Sequence, residues 1–282
     1  MTTYEQLRRA GADDGRALVR VYRRADQATV TLSEPERLNR LSAGLMVQLE
    51  STLRELAGEP GIRSVVITGQ DPAFSAGGDL EMIRDGNRAI RDSSQPADTA
   101  DSWRWIRRQF GGVVRTIAST DKLFVAAVNG AAAGVGLAFA LACDVVIASE
   151  RAVLVPAFGE LGLVPEVGTS WTLTRRLGYH GALACYLGGE PISADEALRL
   201  GLVQEVHDHG ELLAAADAWC ARAGRLPAHA VEMTKTVLRA AIDLPWEQAL
   251  KLEEFAEANC FSTQALGEAA TGLLSRPRDR GT

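Results

Sequence analysis

Apolar positions along this 282-residue chain fall into two kinds of run. Short, nearly continuous runs bounded by turn residues read as strands: residues 17–23 (ALVRVYR), 27–34 (QATVTLSE), 63–69 (RSVVITG), 124–130 (FVAAVNG) and 144–150 (DVVIASE). Between the second and third lies an amphipathic pattern at helical period, residues 43–60 (AGLMVQLESTLRELAGEP). Strand, helix, strand in that order implies a parallel sheet with crossover helices. Beyond residue 203 the pattern becomes helical throughout, over 211–226, 228–244 and 246–275. The apolar stripes of these three segments exceed what one helix pair can bury, which points to packing against another subunit. The chain therefore divides into a core over 1–208 and a helical region over 209–282.

Two stretches need arbitration. Residues 123–143 (LFVAAVNGAAAGVGLAFALAC) carry no charge and are long enough to cross a bilayer. The turn signal Asn129-Gly130, the glycines at 134 and 136, and the strand that starts at Asp144 instead make this a buried strand, a loop and a buried helix. Residues 86–111 are the least regular part, and their Ser, Pro, Asp and Gln content reads as a loop leading into a helix that carries Trp103 and Trp105.

Composition narrows the class of protein. With 46% hydrophobic residues, 23% charged residues and a formal charge of -6, the chain is globular and has no basic surplus for nucleic acid. Basic residues are nearly all Arg, so a phosphate contact would rest on guanidinium groups and backbone N–H. Cys143, Cys185, Cys220 and Cys260 are widely spaced and suit reduced thiols, not a zinc site or a disulfide framework. The first residues lack the apolar stretch of a secretory signal, and RGT at the end is not a peroxisomal address, so the expected location is the cytoplasm.

The candidate chemistry sits at strand ends. Both VVITGQDPAFSAGGDL and FVAAVNGAAAGVGLAFALACD run from a strand into a Gly-rich turn and on to a helix, a path that presents unpaired N–H groups near a helix N-terminus. The glycine spacing does not fit a dinucleotide fingerprint, and no Walker A sequence is present. In VPEVGTS, Glu166 stands directly before a helix start, where an acid alone would simply favour the macrodipole. His207 and His209 form an H-x-H with no further ligand in reach by sequence, and no metal site is read from them.

Taken together, PERLNRLS, AFSAGGDL, AAVNGAAAGVGLAFALACDVVIAS, LGLVPEVGTS and GEPISADEALRLGLVQEV resemble the crotonase superfamily, the enoyl-CoA hydratases and isomerases, in order and spacing over nearly the whole chain. The resemblance implies an α/β fold: a spiral of ββα repeats with a helical C-terminal region that builds trimers or dimers of trimers. It implies an acyl-CoA thioester as substrate, with CoA entering only as part of that substrate and no separate cofactor.

By motif position, the resemblance makes the N–H groups of Ala76 and Val135 the two donors to the thioester oxygen. Valine stands where the family usually has glycine, between Gly134 and Gly136. Substrate contacts would come from Arg37 and Leu38 in PERLNRLS, from the backbone at Phe74, Ala76, Gly78, Asp79 and Leu80, and from Gly134 and Phe158. Arg276 would be a further CoA contact, Asp79 a brace for the turn, Asp144 a strand anchor and Glu160 a surface residue.

The glutamate pair by which family hydratases add water maps onto Ala138 and Phe158, neither of which can move a proton. Glu166 matches the single acid of one branch of enoyl-CoA isomerases. A Δ3 to Δ2 double-bond shift is therefore the expected reaction. The alternatives are a hydratase that uses Glu166 alone, another enolate reaction such as hydrolysis or decarboxylation, or a non-catalytic acyl-CoA binder.

Overall fold

A computed structural model describes residues 4–12, 15–92 and 96–275. Helix α1 (Tyr4–Ala12) precedes an antiparallel hairpin, β1 (Val19–Arg24) and β2 (Gln27–Leu32). A 3-10 turn, Pro35–Arg37, leads to α2 (Ala43–Gly58), whose N-cap Ser42 accepts the Leu45 N–H at 3.3 Å. The next unit is β3 (Ser64–Gly69), β4 (Ala73–Ser75) and α3 (Leu80–Asp92). After it come α4 (Pro96–Trp105), a π-helical turn, Ile106–Phe110, and α5 (Gly111–Ser119).

The same strand, strand, helix order then recurs in β5 (Leu123–Val128), β6 (Ala131–Ala133) and α6 (Val135–Ala142). It recurs again in β7 (Val145–Ser149), β8 (Val153–Val155) and α7 (Thr169–Gly188), the last kinked at Gly178. β9 (Ile192–Ser193), α8 (Ala194–Arg199) and β10 (Glu205–His207) close the strand-bearing part. Four helices follow: α9 (Leu212–Gly224), α10 (Ala228–Ala241), α11 (Trp246–Phe261) and α12 (Gln264–Leu274).

Each unit sends its first strand to a large sheet, ordered β1-β2-β3-β5-β7-β10, and its second to a small one, ordered β4-β6-β8-β9. The result is a spiral of ββα turns. From β2 through β10 the large sheet is parallel, with Val30 opposite Ile67, Val66 opposite Val125 and Ala126 opposite Val146. Both its faces are covered, which is why its central strands read as continuous apolar runs. Val65, Ile67, Phe124, Ala126, Val146 and Ala148 face the main core with Leu45, Leu49 and Leu53 of α2. The alternate residues Val66, Val125, Ala127, Val145 and Ile147 meet Leu212, Ala216 and Cys220 of α9 on the other face.

Three sequence expectations change in detail. The uncharged stretch 123–143 becomes β5, β6 and α6, and no helix among the described residues is long and apolar enough to cross a membrane. The 86–111 segment is mostly helical where a loop was expected: α3 continues to Asp92, and a proline opens α4, where its missing N–H costs nothing. The third C-terminal pattern breaks into α11 and α12. At the break the Ser262 and Thr263 hydroxyls donate to the carbonyls of Asn259 and Cys260, competing with helix continuation.

Candidate active site

The two glycine turns meet. Gly77 has φ +84°, and a Cβ there would lie 2.6 Å from the Ala133 carbonyl oxygen and 3.7 Å from the Val135 nitrogen. From the other side, a Cβ on Gly136 would lie 2.8 Å from both Cβ and the carbonyl oxygen of Ser75. Only glycine lets the backbones approach this closely and adopt the left-handed bend.

One assigned donor is corrected. The Ala76 N–H already donates to the Leu38 carbonyl at 2.8 Å, so it is not available to a substrate. The cause is tertiary pairing: the 35–41 loop lies along the turn, with the Leu41 N–H donating to Gly77 O at 2.7 Å and Leu41 bridging to Gly78. Two residues on, the Gly78 N–H finds no acceptor among the described residues. Val135 opens α6, where its N–H has no intrahelical partner. The two positions are equivalent, because each follows a glycine with positive φ, Gly77 at 84° and Gly134 at 49°. Sequence reasoning missed Gly78 as the donor; the signal that could have found it is the residue directly after a turn glycine, the place Val135 takes after Gly134.

Other expected residues divide by burial. Asp79 Oδ1 accepts the N–H groups of Glu81 and Met82 at 3.0 and 3.3 Å, so it caps α3 and braces the turn. Leu80 and Leu38 are exposed, and Arg37 is exposed at the end of its 3-10 turn. Phe74 is fully buried in the core, so only its backbone is left to meet a ligand. Phe158 is buried with its ring edge 4.0 Å from the Cβ position of Gly134, and Ala138 is buried in the same helix turn as Val135. Both side chains are hydrocarbon, Phe158 against Gly134 and Ala138 on the helix that Val135 opens. Arg276 lies outside the described residues.

Glu166 sits at the entrance to α7, which packs against α6. Its carbonyl accepts the Thr169 N–H at 3.0 Å, while its half-buried carboxylate meets no counter-charge or donor among the described residues. Burial raises its pKa above the ordinary value. The next residue, Val167, is left-handed at φ 55°, a conformation that costs a β-branched residue about 1–3 kcal/mol. Val167 packs on the core and Gly168 lies against Val114 of α5, so packing holds this bend.

Sequence reasoning missed Asn39. It is fully buried and left-handed at φ 52°, with Nδ2 donating to Gln70 O and Ala73 O at 2.7 Å each and Oδ1 accepting the Glu34 N–H at 2.9 Å. Asparagine tolerates this conformation better than most residues. The two histidines make ordinary contacts: His207 meets Glu205 at 2.9 Å, and His209 meets Asp71 at 3.0 Å and Ser149 at 3.2 Å.

Two backbone donors that follow adjacent strands of the small sheet, β4 and β6, buried hydrocarbon at Ala138 and Phe158 and one partly desolvated acid are parts that suit an acyl-thioester enolate. A profile of the enoyl-CoA hydratase/isomerase family matches residues 23–275. The chain belongs to the enoyl-CoA hydratase/isomerase family. Family members similar to it include the probable enoyl-CoA hydratase of Rhodobacter capsulatus, 35% identical over 88% of this chain and 91% of that one. The 1,2-epoxyphenylacetyl-CoA isomerase of Escherichia coli is 33% identical over 80% of this chain and 83% of its own length. Among solved family structures, an enoyl-CoA hydratase from Polaromonas superposes with TM-score 0.81 at 31% identity, covering 91% of this chain and 96% of that one.

Proposed function

We propose that this family member shifts a C=C bond of an enoyl-CoA from Δ3 to Δ2. The observation that carries the reading is the acid inventory: Ala138 and Phe158 bury hydrocarbon beside Val135, and Glu166 is left as a partly desolvated acid without a partner. The Glu166 carboxylate removes a proton from C2, and the electron pair moves into the thioester to form a dienolate. The N–H groups of Gly78 and Val135 stabilise the oxygen charge, each donor typically worth ~3 kcal/mol. Protonated Glu166 then returns the same proton to C4, and the double bond comes to rest between C2 and C3. No electrons are transferred, so the only cofactor chemistry involved is the CoA thioester of the substrate itself.

A solved structure named a monofunctional enoyl-CoA isomerase, from M. smegmatis, matches at 30% identity and TM-score 0.69 over 83% of this chain and 99% of that one and supports this reading, while hydratase-named relatives support the alternative in which Glu166 directs water to C3. The two separate cleanly by product. The protein is incubated with a 3-enoyl-CoA and with a 2-enoyl-CoA, and the expected result is interconversion of the two alone. Accumulation of 3-hydroxyacyl-CoA would overturn the isomerase assignment.

The reading extends to assembly. Leu238 on α10, Ile242 just beyond it, and Trp246, Phe255 and Phe261 on α11 are all more than half exposed, a large apolar surface for a single chain. We propose that it is covered in a homotrimer or a dimer of trimers; a monomeric mass by light scattering at micromolar concentration would refute this.

A further inference from the structure

Arg40, near the end of the 35–41 loop, reaches across to the turn that carries Gly78. Its Nη1 donates to Asp79 Oδ1 at 3.2 Å and to Glu81 Oε2 at 3.4 Å, and its Nε lies 3.8 Å from Glu34 Oε2. Glu34 is fully buried, and its other oxygen accepts from Arg16 at 3.1 Å. The facing Glu34 Oε2 and Arg40 Nε are both buried without a hydrogen bond, so charge alone joins them. The carboxylate oxygen of Asp79 that receives Arg40 is the one that caps α3, one residue after Gly78.

Backbone bonds make loop and turn one body. Ala76 N–H to Leu38 O, Leu41 N–H to Gly77 O and Ser75 Oγ to Asn39 O all cross between them, at 2.8, 2.7 and 2.8 Å. Leu38 and Asn39 are both left-handed, at φ 54° and 52°. Consecutive non-glycine residues hold that conformation only where their surroundings over-determine it. Arg40 is therefore already engaged. With Arg16 it brings two positive charges to a cluster of three carboxylates, Glu34, Asp79 and Glu81, and the surplus is negative where a phosphate would need positive.

We propose that Arg40 is a positioning residue for the oxyanion site. It ties the Gly78 turn to the 35–41 loop, so that the loop meeting the CoA end of the substrate and the N–H polarising its carbonyl are held in one frame. Arg40 does not itself bind a CoA phosphate; the exposed Arg37 is placed for that contact. The inference rests on the acyl-CoA reading above and adds to it the coupling of the two ends of the substrate.

The test compares wild type with Arg40→Met and Arg40→Lys, using an aromatic 2-enoyl-CoA whose thioester absorption shifts to the red when its carbonyl is polarised. Free CoA binding and kcat and KM on a 3-enoyl-CoA are measured alongside. Expected is a red shift in wild type that is largely lost in Arg40→Met, with kcat down about tenfold, a share of the ~10²-fold that a 1 Å misplacement costs. Free CoA affinity and KM stay within about twofold, and Arg40→Lys restores part of the shift. If Arg40→Met does not fold, Glu34→Gln, which removes the charge behind Arg40, gives a partial loss in the same direction. A full red shift in a folded Arg40→Met protein overturns the proposal, as does weaker CoA binding with unchanged kcat. Absence of a red shift in wild type removes the oxyanion reading and the proposal together.

Discussion

Replacing Gly136 by alanine separates catalysis from stability at the contact between the two turns. The added Cβ would stand 2.8 Å from Ser75 Cβ, about 0.7 Å inside the ~3.5 Å at which carbon atoms meet comfortably. Ser75 cannot yield freely: it is fully buried, its hydroxyl donates to Asn39 O at 2.8 Å and accepts the Gly77 N–H at 3.2 Å. Relief must come from moving the turn that carries Gly78 away from Val135. Gly136 has no positive φ, and alanine favours a helix over glycine by up to ~1 kcal/mol, against an overpacking cost of ~1–3 kcal/mol. Net stability should thus fall by no more than about 3 kcal/mol. Catalysis is far more sensitive, because a 1 Å misplacement costs ~10²-fold, so a displacement of about 0.7 Å predicts a kcat loss of roughly 10- to 50-fold. The assay is initial-rate conversion of a 3-enoyl-CoA to the conjugated 2-enoyl-CoA, with thermal melts on the same samples. Gly58→Ala, whose Cβ enters open space at the end of α2, is the control and should retain wild-type kcat. A Gly136→Ala protein that is destabilised by 1 kcal/mol or more (about the expected scale) but keeps wild-type kcat would refute the idea that these turns supply the donors.

The remaining predictions concern titration and charge. Glu166→Gln should lower kcat by at least ~10², since one group both takes and returns the proton; undiminished turnover removes Glu166 from the mechanism. In the wild type, kcat/KM should fall as pH drops through the raised Glu166 pKa, so the acid limb lies above the ordinary glutamate value of about 4.3, and a limb at or below it would contradict the role. The same shift has a sign for stability: between the ordinary and the raised pKa the folded state holds more protons, so stability falls with rising pH. Glu166→Gln should accordingly melt above wild type near neutral pH and lose that advantage below about pH 4, which scanning calorimetry across pH would check. Asp144→Asn should destabilise by ~3–5 kcal/mol in urea titrations, because Lys235 Nζ at 2.8 Å and Arg239 at 2.6 Å would lose their shared carboxylate. Destabilisation below 1 kcal/mol, well under the usual scale for a broken buried pair, would show the cluster to be solvated.

The sequence by itself determined the first five strands of the large sheet, the helix between its second and third strands, the helical C-terminal region, and that the sheet is parallel beyond the first hairpin. Those follow from periodicity and from the glycine, proline and asparagine positions between apolar runs, all local properties. The residues at 138, 158 and 166 are also plain in it, and the motif resemblance is what makes them the proposed acid positions. What only the tertiary structure decided is which backbone groups remain free. Ala76 and Gly78 both sit in a turn that could present an N–H. The Leu38 carbonyl, from a loop nearly forty residues earlier, satisfies the first and leaves the second. The helix α4, whose Trp105 ring meets Tyr4 of α1, and the salt-bridge seat of Asp144 beneath α10 were hidden for the same reason, because their partners come from distant segments. Hydrogen-bond satisfaction is a property of the assembled fold, where every buried donor competes for the acceptors that packing brings within about 3 Å, and no spacing along the chain records who wins.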